Sequence, residues 1–433
     1  MELPKNQMSQ ERGMQVKSIL NRVEKIPGFI FERVEWSEDG SRIEAEIRPR
    51  KNNRAKCSGC GEEGPGYDRL KKRRYQFVPL WQIPVAFAYA PRRVECRGCG
   101  VQVEKLPWAE GKNRVTTTMQ WFLAMWARRL SWDEVARTFQ SSWQTVNRAV
   151  EQAVRWGRQR MDLSEVGAIG IDEVLHRRGT KAYAGPRFLT LVYQVDERGK
   201  RLLWVGKDRQ EQTLHSFFDW FGEQAVQRLK FICSDMWPAY LKAIRMRAPH
   251  ALHLLDRFHV MSKINKTLDR IRSAEARELR AKNRGGVLTN SRWLFLKRKE
   301  NLTDRQHEKL SVILKQNLRI VRAYLLRESL LRFWQYISRR AAGKFLDEWC
   351  DGVMRSRIEP MKKAAKSLRK HRELLLNYFG AKGVSTGAVE GLNNKVKVVT
   401  RRSYGFRSYK TIELALYHAL GDLPQPNFAH RFW

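Results

Sequence analysis

A multidomain α/β protein is the fold class this sequence predicts, and three features lead there. The apolar run Ala168-Ile169-Gly170-Ile171-Asp172-Glu173 opens a region of strand-like period, whereas residues before it (Thr117 to Arg129) and after it (Ser262 to Lys382) repeat at helical spacing. Two knuckles of the form Cys-x-x-Cys-Gly, at Cys57 and Cys96, precede both. At 433 residues the chain is also too long for one ordinary core, so two to four domains are expected.

Taken in order, a polar, basic start leads to Ile30–Trp36 and Arg42–Ile47, two runs flanking a turn at Glu38-Asp39-Gly40-Ser41. Ile43, Ala45 and Ile47 alternate cleanly, and Ile30, Val34 and Trp36 do so in part, which predicts a β-hairpin. Cys57-Ser58-Gly59-Cys60-Gly61 and Cys96-Arg97-Gly98-Cys99-Gly100 then form matched knuckles. A tight turn brings two thiolates to one ion, and the glycine after the second cysteine tolerates positive φ. Cys57, Cys60, Cys96 and Cys99 are therefore expected to hold Zn²⁺, with the aromatic segment from Tyr75 to Tyr89 supplying strands of a zinc ribbon. A redox dithiol is the competing reading for either pair alone, but six cysteines in so long a chain make no disulfide scaffold.

Helical grammar follows. Met119, Phe122, Leu123 and Trp126 share a face, Ser131-Trp132-Asp133-Glu134 is a capping box, and Ser142 caps a third helix that buries Val146, Ala149, Val150 and Ala153. This reads as a helix-turn-helix with Gln144, Asn147 and Arg148 facing DNA bases or phosphates; a plain three-helix bundle with a polar face is the alternative.

From Val166 the period changes to two. Ala168–Ile171, Phe188–Val195 and Arg201–Gly206 predict an antiparallel meander; a helix from about Thr213 to Leu229 leads to Phe231-Ile232-Cys233-Ser234-Asp235, and a helix over Pro238–Met246 leads to a fifth strand at Ala251–Leu255. The block from Ser262 to Lys382 is helical and basic, with a stripe of Leu310, Leu314, Leu318, Val321 and Leu325 and a helix from Pro360 to Gly380. Ser385-Thr386 then cap a helix containing Glu390.

Asp172 and Asp235 at strand ends, with Glu390 on a helix, are hard oxygen donors suited to Mg²⁺ and hence to phosphodiester chemistry. Glu173 and Asp256 compete for the same role, although the pleat sends Glu173 to the face opposite Asp172 if the strand continues. Charge points to the same partner: 83 lysines and arginines against 45 acids give a formal net charge of +38, spread along the chain, and nucleic acid is the first polyanion it suggests. No apolar run approaches the roughly 20 residues of a membrane span, and the start lacks a signal-peptide core, so a soluble intracellular protein is expected.

The paired knuckles, the helix-turn-helix, Ile171-Asp172-Glu173, Cys233–Tyr240, Asp256-Arg257-Phe258-His259 and the run from Val389 through Asn393-Asn394-Lys395 to Arg401-Arg402-Ser403-Tyr404-Gly405-Phe406 resemble the bacterial insertion-sequence transposases of the ISL-three family, in the same order over nearly the whole chain. The resemblance implies a ribonuclease-H-like mixed-sheet core with a DDE triad at Asp172, Asp235 and Glu390 and Mg²⁺ or Mn²⁺ as cofactor. It places Asp256 and His259 in a supporting Asp-x-x-His motif; a core histidine bonded to backbone is an equal reading of His259. The expected partners are double-stranded DNA, both element ends and target, and a second copy of the chain, in the bacterial cytoplasm at the nucleoid. Lys395, Lys397, Arg401 and Arg402 would hold phosphates.

The expected segments are 1–50, an N-terminal hairpin; 51–110, a zinc ribbon; 111–162, a helix-turn-helix; 163–261, the first part of the catalytic core; 262–382, the helical insertion; and 383–433, the rest of the core with a tail. The implied function is binding of terminal inverted repeats, metal-dependent cleavage and strand transfer. A domesticated or inactive DNA-binding regulator is the main alternative. A ribonuclease-H-like nuclease or resolvase is the other, and it needs neither the insertion nor two DNA-binding modules.

Overall fold

In the computed structural model, residues 16–175, 187–381, 387–406 and 408–427 are described. They fold as two units. The first takes the described residues of Met1–Met161, Arg401–Phe406 and Leu423–Trp433. Here helix α1 (Val16–Val23) leads into β1 (Phe29–Trp36) and β2 (Ile43–Pro49), the expected antiparallel hairpin. β2 buries Ile43, Ala45 and Ile47 as its alternation predicts. On β1 a bulge between Phe31 and Arg33 shifts the phase, so that Phe29 and Phe31 are buried, Val34 packs beside them, and Ile30 leaves the core face.

The segment expected to build the zinc ribbon divides between two sheets. β3 (Gly66–Arg69), β6 (Arg92–Cys96) and β7 (Gly100–Val103) form a small sheet, whereas β4 (Arg73–Leu80) and β5 (Ile83–Tyr89) join the first hairpin in the order β1-β2-β5-β4. The physical reason is apolar surface. Tyr75, Phe77, Phe87 and Tyr89 cover Phe29, Phe31 and Ile47 in one core, where Trp108 meets Phe29 and Tyr89 edge-on at 5.0 and 5.2 Å. The cysteine-bearing sheet has no comparable payload; every residue of β3 is exposed.

Three helices complete the unit: α2 (Thr117–Trp126), α3 (Trp132–Thr138) and α4 (Trp143–Arg158). Ser131 and Glu134 make the reciprocal capping box, Ser142 accepts from Thr145 N–H, and Gln140 takes the positive φ of 47° that reverses the chain between α3 and α4.

The second unit takes the described residues of Asp162–Thr400 and Arg407–Asp422. Its sheet, ordered β10-β9-β8-β11-β12, consists of β8 (Ala168–Leu175), β9 (Phe188–Gln194), β10 (Arg201–Lys207), β11 (Phe231–Ser234) and β12 (Leu252–Leu255). The first three are the antiparallel meander, while β8, β11 and β12 run parallel because helices connect them. The helix expected over Thr213–Leu229 is two, α5 (Glu211–Phe221) and α6 (Glu223–Arg228), broken where Gly222 adopts φ 84°. α7 (Pro238–Arg247) fills the second crossover.

Beyond β12 the chain enters α8 (Arg257–Ala281) at once, so a continuous helix crosses the expected boundary at 261/262. α9 (Arg292–Leu296), α10 (Asp304–Leu314), α11 (Arg319–Leu331), α12 (Arg339–Arg355), α13 (Glu359–Lys370) and α14 (Arg372–Leu376) follow, with no strand among the described residues. The leucine stripe is interrupted at Lys315–Leu318, and Leu325 faces solvent. The break is stabilised from outside: α11 has no side-chain cap of its own, and buried Glu275 on α8 accepts from the backbone N–H groups of Arg319 (2.8 Å) and Ile320 (2.7 Å). The helix expected from Pro360 to Gly380 likewise stops at His371, between α13 and α14. Leu241 of α7 and Leu255 of β12 belong to the same apolar cluster as these helices, so the insertion shares a core with the sheet. α15 (Gly387–Arg402) and α16 (Tyr409–Leu420) close the chain. Among the described residues no helix is long and apolar enough to cross a membrane.

One buried group gives the second unit an acid limit. His253 on β12 bonds Ser234 Oγ at 2.7 Å, and burial, aided by Arg245 and His371, pushes it down to about 4 from its ordinary 6.5. The unfolded chain therefore binds more protons between these values, and the stability this group contributes is full above pH 6.5 and lost as pH falls through 4. Urea denaturation should show a loss of about 2 kcal/mol from this group between pH 7 and 5. His253→Gln should flatten that slope; an equal slope in the variant would assign the loss elsewhere.

Candidate active site and metal centre

The acidic site follows from strand register. Cys233 pairs with Gly170 and Ser234 with Leu255, so continuing the parallel strands sets Asp235 level with both Asp172 and Asp256. Three acidic residues are thus level on adjacent strands, Asp172 within β8 and Asp235 and Asp256 just past the carboxyl ends of β11 and β12. Glu390 arrives on α15, whose Val389 lies directly over Gly170 on the Asp172 face. Its side chain is exposed and its charge reaches Asp256. Ser385 and Thr386, the expected cap of this helix, lie outside the described residues.

Gly170 is what allows that approach, since a Cβ there would stand 2.4 Å from Val389 Cγ2 and 3.2 Å from Val195 Cγ1. Gly170→Ala should cost about 1–3 kcal/mol through overpacking, read as a lowered melting temperature. Val389→Ala in the same chain should recover most of it; no recovery would place the strain elsewhere.

Asp172 is held from three sides. Asn393, one turn beyond Glu390, donates from Nδ2 to Asp172 Oδ2, and Asn393 Oδ1 accepts from Tyr193 OH at 2.7 Å. Burial keeps the Tyr193 hydroxyl protonated, well above its usual range. His259 Nε2 stands 3.4 Å from Asp172 Oδ2 and 3.9 Å from Asp256 Oδ2, and Glu173 N–H donates to Asp172 Oδ1 at 2.7 Å. His259 thus faces carboxylates and not backbone. Asp256 also caps α8 by accepting from Phe258 N–H at 2.8 Å.

Asp235 accepts from Trp237 N–H at 2.9 Å. Burial pushes Asp235 up to about 6, with Glu173 and Asp172 adding repulsion, and burial does the same to Asp256, with Asp172 and Glu390 adding to it. His259 responds in the opposite sense: burial opposes its charge, but the bond to Asp172 and the surrounding carboxylates outweigh it and hold the ring at about 9. The site therefore concentrates negative charge that a cation would relieve. Glu173 turns aside to Arg209 (2.9 Å), whose guanidinium lies over Phe188 and Trp237 at 4.2 and 4.3 Å, while its Oε2 is buried without a partner. Asn393, Tyr193 and Arg209 had no role in the sequence reading. The one available signal was Asn393, a polar residue one turn from Glu390 on the same helix face.

Cys57, Cys60, Cys96 and Cys99 bring their sulfurs within 4.8 Å of one another, and among the described residues they are the only such set of three or more His, Cys, Asp or Glu. The acids are spread more openly along their edge. Cys60 and Cys96 sulfurs are 3.4 Å apart, close to the about 3.8 Å that tetrahedral bonds of 2.3 Å to zinc would set. Gly61 and Gly100 take φ 84° and 69°, as both knuckles require. The backbone N–H groups of Cys60 and Gly59 hold the Cys57 thiol down at about 7, whereas its neighbours, Cys60 first, push Cys99 up to about 12. One thiolate forms readily and the last resists, which suits a divalent cation as the missing compensation.

Of the expected DNA contacts, Gln144 and Arg148 are exposed on α4 and Asn147 is partly buried; Lys395, Lys397 and Arg401 are exposed on α15. Arg402 differs. Its Nη1 donates to the carbonyls of Arg128 and Arg129 at 2.7 and 2.9 Å, just beyond α2, so this nitrogen is committed to the fold.

Comparison with known proteins agrees in extent and order. A family profile described as transposase matches residues 169–416. A Bordetella parapertussis protein described as the transposase for insertion sequence element IS1001 is 30% identical over 385 residues, 88% of this chain and 92% of that protein. A Mycobacterium tuberculosis protein described as the transposase for insertion sequence element IS1557 is 28% identical over 424 residues, 91% of this chain and 93% of that protein.

Proposed function

The chain belongs to the ISL-three family of insertion-sequence transposases, and from that membership we propose that it binds the terminal inverted repeats of its element and catalyses metal-dependent DNA cleavage and strand transfer. The observation that carries the catalytic half is the level placement of Asp172 and Asp235 on adjacent strands, with Glu390 on the helix packed over the same face. The strand order, antiparallel meander followed by parallel strands, supports a ribonuclease-H-like core.

Asp172, Asp235 and Glu390 would hold Mg²⁺ or Mn²⁺, which when bound lowers the pKa of an attacking oxygen and neutralises charge on the leaving one. The donor set fits: all are hard carboxylate oxygens, and burial, with Asp172 adding repulsion, already disfavours the charge on Asp235 that a divalent cation would stabilise. The residues around them do the positioning. Asn393, fixed by Tyr193, aims Asp172; Trp237 N–H aims Asp235; and cationic His259 beside Asp172 and Asp256 offers charge to a phosphate at that edge. Lys395, Lys397 and Arg401 on α15 extend that grip along the backbone.

End recognition belongs to the first unit in this reading. Zn²⁺ at the four cysteines orders the small sheet, and α3 and α4 act as the helix-turn-helix, with Gln144 and Arg148 available to DNA. Joining two ends calls for two protomers. The test is the purified chain with a labelled duplex carrying the element's terminal repeats: nicks at the ends and joined products in Mg²⁺ are expected. Binding without either would leave a DNA-binding regulator.

A further inference from the structure

Within the second unit, α7, β12, α8, α13 and α14 enclose a cleft of about 1120 Å³. We propose that this cleft seats a short single-stranded stretch of DNA beside the reacting phosphodiester, with its phosphates on Arg245, Lys366 and Lys370. The inference rests on the transposase reading and adds to it a role for the helical insertion, as one wall of a strand-binding groove.

Charge is the first argument. Lys242, Arg245, Lys263, Lys366 and Lys370 line the cleft, and among the described residues no carboxylate does. Two of these have work already: Lys242 pairs with Glu211 at 3.0 Å outside the lining, and Lys263 donates to Ser367 Oγ at 2.7 Å, tying α8 to α13. Arg245, Lys366 and Lys370 are exposed at the walls. Size is the second argument, because the volume only modestly exceeds the roughly 300–1,000 Å³ of sites that enclose a drug-sized ligand. That is room for a few nucleotides.

The remaining surface suits bases. Single-strand grooves combine phosphate-tracking charge with aromatic faces for the bases; here Trp237 is the aromatic side chain in the lining, and Met236, Leu241 and Leu374 add apolar area between the cations. Position is the last argument. Trp237 lines the cleft, and its backbone N–H donates to Asp235 Oδ1 at 2.9 Å, so a strand in the cleft lies next to the acidic edge.

The experiment uses the full chain, a labelled single-stranded oligonucleotide and a labelled end duplex, followed by anisotropy across a salt series. In the triple variant Arg245→Gln, Lys366→Gln, Lys370→Gln, single-strand affinity should fall at least about tenfold, and the salt slope should drop by about 2, from three lost phosphate contacts. Duplex-end affinity should stay unchanged. These exposed side chains leave the core intact, which circular dichroism checks; Lys366→Gln alone provides a milder variant if the triple one misfolds. Unchanged single-strand binding in a folded variant overturns the proposal while leaving the transposase reading standing. Equal loss on strand and duplex overturns it as well, by making these cations a general grip. An acidic peptide that competes as well as the oligonucleotide reassigns the cleft to protein. Wild-type chain that binds neither DNA form defeats the underlying reading itself.

Discussion

Asp172→Asn should lower end cleavage and strand transfer by about three orders of magnitude, because a carboxylate that holds a catalytic cation contributes several kcal/mol at the transition state. Asparagine keeps the shape and can still bond Asn393, so the strand and α15 should stay in place. Duplex-end binding should be unchanged. A second readout reaches the site without activity: the His259 ring, held at about 9 chiefly against burial by Asp172, should titrate markedly lower in the variant, followed by its NMR signals. The sign is fixed. A raised folded value means stability from this histidine is full below 6.5 and lost as pH rises through 9, so the variant should also lose that alkaline fall. Full cleavage by Asp172→Asn would remove the catalytic assignment.

Removing the metal from the first unit should have the other large effect. Structural zinc contributes on the order of 10–16 kcal/mol in small domains, and the strands of the three-stranded sheet around the cysteines bury only Val94 and Cys96, with β3 wholly exposed. Cys57→Ser, or a strong chelator, should unfold this sheet and abolish end binding while His253 and the second unit's melting persist. Metal analysis should give one zinc per wild-type chain. Zinc-free protein with reduced thiols and unaltered melting would refute the site. Part of the unit should survive zinc loss, because the Trp108-centred core is built without it.

The two units were legible in the sequence to different depths. Caps and knuckles were read residue by residue: Ser131 with Glu134, Ser142, and the positive-φ glycines at 61 and 100 all act within one turn of chain. Helix length was read less well, because Gly222 and the Lys315–Leu318 break end helices for reasons that periodicity averages over. The bulge in β1 shows the same limit on a strand: one extra residue reverses which side chains are buried, and nothing in the alternation of Ile30, Val34 and Trp36 announces it.

Local sterics and spacing are what the sequence alone could determine here: four cysteines fit for one metal, an acid directly after the apolar run of β11, and a basic chain suited to DNA; Asp172, expected at a strand end, lies inside β8, which pairs with β9 as far as Leu175. Tertiary structure decided the partnerships. It assigned Tyr75–Tyr89 to the first hairpin's sheet, set Asn393 and Tyr193 behind Asp172, committed Arg402 Nη1 to the backbone just beyond α2, and enclosed five cations in one cleft. These depend on which distant surfaces exclude water together and on the register that parallel strands adopt, and neither is encoded within a few residues of the groups it places.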